Sequence, residues 1–166
     1  MIFNLNLLHL VLVAGALAAV GLALREIRGR AMRRWQLFPL PLVALLLAFI
    51  LVLFQLAAQQ PPWIFGAVLA LGLAAGAARG ATLPQEVDQT FRLVRPTRRR
   101  ALFWTSLVFP IAVGLEIGGT LAGPPGEFWR LAGAAAAMLA AGLMAGRATA
   151  LAVRLWWAPH VDLRRR

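Results

Sequence analysis

The chain has 166 residues, 61% of them hydrophobic and 14% charged, with a formal net charge of +11. A soluble domain carries about a quarter charged residues, so this composition argues against a soluble globule. All 17 basic residues are arginine and cysteine is absent, which excludes disulfides, thiolate metal sites and cysteine nucleophiles.

The charges are bunched. Phe3–Leu24, Trp35–Ala78, Ala101–Leu115 and Leu131–Gly146 contain no Asp, Glu or Arg. A helix of about 20 apolar residues crosses the hydrocarbon core of a bilayer. The runs therefore predict an all-α, polytopic transmembrane bundle with five spans, at residues 4–24, 37–57, 63–79, 101–121 and 129–153.

The first span contains "VAGALAAV", whose small residues suit signal cleavage. No basic residue precedes its apolar run, however, and five arginines follow it, the reverse of a cleavable signal. The helix is expected to be retained. The first connection holds Arg25, Arg28, Arg30, Arg33 and Arg34 against Glu26. Pro39 and Pro41 open the second span, where a missing N–H costs little. The uncharged "AAQQPP" separates it from the third.

In the third span Gly72, Gly76 and Gly80 recur every four residues and share one helical face. Small residues let membrane helices approach closely, so this face is expected to pack. A phosphate-binding Walker loop is excluded, since that motif needs a lysine. Arg79 marks the end of the span and can snorkel. The third connection holds Arg92, Arg95 and Arg98–Arg100 against Glu86 and Asp88. Two readings of it stay open. Thr82 and Gln85 resemble a capping box, opening an interfacial helix faced by Leu83, Val87, Phe91 and Val94. Alternatively, Glu86–Val87 and Phe91–Leu93 form a small hairpin.

The fourth span carries Pro110, expected to kink or loosen it, and repeats the glycine spacing at Gly114 and Gly118. It also carries Glu116, roughly 22 Å of rise from the arginine-rich end. An ionisable residue within a span is a functional candidate by default. Glu116 is thus either a polar site or a carboxylate at the far interface. The fifth span, after "AGPPGEF", holds Gly142 and Gly146 and then Arg147, about 27 Å along it. Arg147 is expected to snorkel on the same face as Arg154, and the depth difference argues against a Glu116–Arg147 ion pair. The tail adds Arg164–Arg166.

Arginine is concentrated in alternate connections, so the positive-inside rule places the amino terminus outside and the carboxyl terminus in the cytoplasm. Trp35, Trp63, Trp104, Trp129, Trp156 and Trp157 all fall at predicted span ends, as an interfacial belt would require. The expected partners are the bilayer, with anionic headgroups on the cytoplasmic face, and a second membrane helix in a homo-oligomer or another protein. No nucleic-acid partner is expected, because topology accounts for the positive charge.

Four stretches carry a family resemblance: "LREIRGRAMRRWQLFPLP", "WIFGAVLALGLAAGAARG", "EVDQTFRLVRPT" and "LMAGRATALAVR". Together they cover about half the chain. In a basic first loop, a glycine-spaced third helix, a short polar insert and a G-R-containing last helix, the chain resembles CcdC-like five-helix proteins of the bacterial inner membrane. The resemblance implies that membrane and no established reaction. The family name hints at cytochrome c biogenesis, but the absence of cysteine argues against thiol exchange.

Asn4, Asn6, His9, Gln55, Gln59, Gln60 and Glu116 fall toward the predicted outer side, as a loose polar group or as solvated helix ends. His9 and His160 are expected on opposite sides, so they do not pair as haem ligands, and no metal or other cofactor is expected. No nucleophile–base–acid set falls at one depth. The expected function is that of a non-enzymatic accessory or scaffold protein; the alternative is a small transporter or channel subunit using Glu116.

Overall fold

Among the described residues, five segments of the computed structural model are long and apolar enough to cross a membrane. The structure describes residues 7–28, 32–88, 93–96 and 100–157. The helices are α1 (Leu7–Ile27), α2 (Pro39–Ala57), α3 (Pro62–Thr82), α4 (Arg100–Ser106), α5 (Val108–Ala122) and α6 (Glu127–Arg154). Helices α4 and α5 together make the fourth segment, Arg100–Ala122.

Proline punctuates these helices for local reasons. Pro39 and Pro62 each occupy the first position of a helix, where the absent donor has no intrahelical partner to lose. Pro110 cannot bond the carbonyl of Ser106 one turn earlier, and the helix breaks at Leu107. The expected kink is thus a break between α4 and α5. Helix α2 ends on a turn of the Schellman type: the Gln60 N–H donates to Gln55 O at 3.0 Å and the Gln59 N–H to Leu56 O at 3.0 Å. Gln59 takes the left-handed conformation there, with φ 60°.

Helix α6 is the hub, packing most extensively on α3 and also on α2 and α5. Its contact with α3 is made by glycine. A Cβ on Gly72 would lie 2.5 Å from Leu139 O, and one on Gly76 would collide with Leu143 O. From the other side, a Cβ on Gly142 would lie 2.8 Å from Leu69 O, and one on Gly146 would collide with Leu73 O. The two glycine faces therefore meet within one chain, backbone against backbone. Gly80 continues the seam, with Arg147 O 2.8 Å from its added Cβ. Gly114 and Gly118 do not join any such seam, since nothing lies within 4 Å of a Cβ at either. In α5 the packed glycine is Gly119, one residue on.

The connections also fold. Strand β1 (Met32–Arg33) follows α1, while β2 (Gln85–Asp88) and β3 (Leu93–Pro96) follow α3. They form an antiparallel sheet in the order β1-β3-β2, with Val94 facing Met32 on one side and Val87 on the other. A hairpin is the reading observed for the third connection, with its first strand extended to Gln85–Asp88 and its second at Leu93–Pro96, sharing only Leu93 with the expected Phe91–Leu93. The interfacial-helix reading is not: Thr82 ends α3, and its hydroxyl donates to Arg79 O at 3.0 Å instead of opening a new helix. Phe91 lies outside the described residues. Leu37, Val87, Val94 and Leu155 form a separate small core beneath the sheet. The first connection, the third connection and the end of α6 thus converge at one end of the bundle.

Candidate functional site

Among the described residues, two helical carboxylates, Glu116 and Glu26, are buried, and each meets an arginine. Glu116, on α5, is 1% exposed. Its Oε1 accepts from Arg130 Nε at 2.8 Å and lies 2.7 Å from Arg130 Nη2. Its Oε2 accepts from Gln55 Nε2 at 3.0 Å. Three helices therefore supply one polar cluster: α2 through Gln55, α5 through Glu116 and α6 through Arg130.

Local structure explains the convergence. Glu116 lies near the end of α5 and Arg130 in the first turn of α6, with only a 3-10 turn at Pro124–Gly126 between the helices. An antiparallel pair joined so tightly brings these positions to one depth. Gly119 lies one turn beyond Glu116 on the same face. A Cβ there would collide with Arg130 Cγ and lie 2.7 Å from Gly126 O. Its bare backbone is the channel through which the Arg130 stem reaches the carboxylate. Gln55 is fixed in turn by the tight end of α2, which its own carbonyl helps to close.

The remaining members of the loose polar group separate. His9 is buried and stacks on Phe54 with ring centroids 5.6 Å apart. Its Nδ1 is buried without a hydrogen-bond partner. Gln59 is exposed and Gln60 half-buried. Asn4, Asn6 and His160 lie outside the described residues.

The second carboxylate is Glu26, 6% exposed, which accepts from Arg147 Nη1 at 3.1 Å; Arg147 is itself 7% exposed. Arg147 therefore does not extend to an exposed end, as snorkelling would require. Helix α1 runs to Ile27, longer than the sequence suggests, and carries Glu26 inward to meet it. Arg154 is also engaged: its Nη1 donates to Gly80 O at 3.1 Å and to Leu83 O at 2.7 Å. It thereby satisfies carbonyls that the end of α3 leaves free.

Sequence reasoning placed Glu116 and Arg147 as intramembrane candidates and expected no bond between them; each has a different partner. It missed Arg130, Glu26 and Gly119. Arg130 had one usable signal: it is an arginine on the side otherwise poor in arginine, in the helix directly after that of Glu116. Comparison with family models, curated proteins and solved structures finds no match for this chain.

Proposed function

We propose that this multi-pass membrane protein is a non-enzymatic accessory or scaffold protein, associating with another membrane helix through a small-residue face. The observation that carries the reading is the outer stripe of α5. Ile111, Gly114, Gly118 and Leu121 recur at helical spacing. Ile111 and Leu121 are exposed, and a Cβ on either glycine would meet nothing within 4 Å among the described residues. Such a stripe admits a second helix at close range. The other glycine faces are already consumed by the α3–α6 seam.

The Glu116 cluster supports the same reading. Both carboxylate oxygens are taken by groups of the chain itself, so the cluster serves as a clamp between helices. In this reading the arginine-rich end faces the cytoplasm of a bacterial inner membrane, in keeping with the resemblance to CcdC-like proteins.

The test is purification in mild detergent followed by mass analysis of wild type and Gly118→Leu. A stable homo-oligomer or partner complex is expected for the wild type and its loss for the variant, whose melting temperature should be unchanged. A monomeric wild type, or unaltered association in the variant, would sink the proposal.

A second reading, a small transporter or channel subunit, rests on the unpartnered His9 Nδ1 in the same helical bundle as the Glu116 cluster. It requires Glu116→Gln to abolish a cellular phenotype at unchanged protein level. The scaffold reading expects that phenotype to persist as long as the protein accumulates.

A further inference from the structure

Arg147 is the one arginine among the described residues with a buried side-chain nitrogen that has no hydrogen-bond partner: Nη1 reaches Glu26 and Nη2 reaches nothing. The residue lines a cleft of about 40 Å³ where α3, α4 and α6 come together. Arg79 lines the same cleft from the last turn of α3 and is exposed. Leu102 and Met144 form apolar, buried walls, and Ala101, Thr105 and Leu143 complete the lining.

We propose that this cleft binds a phosphoryl group, carried either by an anionic lipid headgroup or by free phosphate. Two arginines, Arg79 and Arg147, line the cleft, and Glu26 pairs with Arg147, leaving an excess of one positive charge among the lining residues. Water would satisfy the free N–H but would not offset that charge. An oxyanion does both, and the planar guanidinium fork matches phosphoryl oxygens. The space takes about three water-sized groups at 10–15 Å³ each, enough for the non-bridging oxygens of a phosphate. The cleft also lies toward the arginine-bearing end of the bundle, near Arg100 at the start of α4. Basic pockets between membrane helices at that level meet lipid headgroups, and the apolar walls offer contact to an acyl chain.

The experiment uses the full chain, purified free of lipid in an uncharged detergent and examined by native mass spectrometry. Phosphatidylglycerol and inorganic phosphate are titrated separately and then in competition. Wild type should take up a single saturable equivalent. Arg79→Gln should weaken it about tenfold or more, the loss of a charge-assisted hydrogen bond, while Arg33→Gln, an exposed arginine outside the cleft, should leave it unchanged. Both variants should melt at the wild-type temperature without ligand. Binding of phosphatidylglycerol that phosphate does not displace identifies the lipid headgroup as the source; displacement by phosphate identifies a site for the free anion as well. The proposal is overturned if neither probe binds stoichiometrically, if Arg79→Gln binds as wild type does, or if Arg33→Gln loses as much.

Discussion

Arg130 reaches Glu116 across the bare backbone of Gly119, closing a 2.7 Å ion pair between the start of α6 and the end of α5. The pair is asymmetric, because Glu116 is 1% exposed and the Arg130 side chain 21%. Its geometry depends on three features in one turn: the glycine that clears the path, the tight Gly126–Gly119 approach and the conformation of Gly123.

That dependence gives a first prediction. Gly119→Ala should destabilise the protein by about 1–3 kcal/mol, the usual cost of overpacking a close contact. The added methyl meets the backbone oxygen of Gly126 as well as the movable Arg130 stem. Gly118→Ala, with nothing within 4 Å, is the control. Unfolding in mixed detergent micelles measures both; equal stability would show that Gly119 holds no path open.

Gly123 gives a second. It sits at φ 68° and ψ −143°, a region nearly closed to residues with a Cβ. Gly123→Ala should cost about 1–3 kcal/mol although no atom lies near the added methyl. Since the cause is backbone strain in a region Asn tolerates little better than Ala, Gly123→Asn should cost a similar amount. A neutral Gly123→Ala in the same unfolding assay would locate the turn's stability elsewhere.

The α3–α6 seam gives a third. Gly76→Leu should prevent native folding, because even a Cβ at that site collides with Leu143 O. Ala74→Leu, on an exposed part of α3, should be tolerated. Accumulation in membranes and monodispersity in detergent are the readouts. Similar behaviour of the two variants would mean that the glycine spacing reflects composition alone.

Reading the sequence captured the long helices, since apolar length and the position of Pro39, Pro61 and Pro62 suffice to define them. It also captured the faces of Gly72, Gly76, Gly80, Gly142 and Gly146 as surfaces for close approach. Spacing defines a face but not what covers it: Gly119 packs against the start of α6, while Gly114 and Gly118 meet no neighbour among the described residues. The ion pairs were illegible for a related reason. Glu26–Arg147 joins residues at opposite ends of the chain, and such a pair depends on the relative depth of two helices. Extending α1 by less than a turn changed Glu26 from a loop residue into a buried partner. The small sheet was half visible: the hairpin had turn-like residues, but nothing in Met32–Arg33 announced a strand to complete it.

Orientation gives a fourth prediction. Strand β1 pairs with β3, so the first and third connections share one end of the bundle. Reporter fusions after Arg34 and Arg98 should therefore agree with each other, and the arginine content predicts that both report cytoplasm. Fusions near Gln60 and Gly126 should report the opposite side. Disagreement between Arg34 and Arg98 would contradict the sheet; agreement on the external side would contradict the charge rule alone.

The last prediction concerns Glu26 and Arg147. Removing one member of a buried ion pair leaves the other charge without its counterion, whereas removing both removes the problem. Arg147→Gln should therefore cost about 3 kcal/mol, and Glu26→Gln should also be destabilising. The double variant Glu26→Gln/Arg147→Gln should regain much of the loss, since two amides of similar shape can hydrogen-bond where the ions did. Unfolding of all four proteins in the same micelles completes the cycle, and a coupling of about 1–2 kcal/mol is expected for an interaction in this setting. If the double variant is as unstable as the sum of the singles, the two residues act independently and the 3.1 Å contact is not a functional pair. If it recovers, the pair fixes the end of α1 against α6, and with it Arg147 at the edge of the α3–α4–α6 cleft.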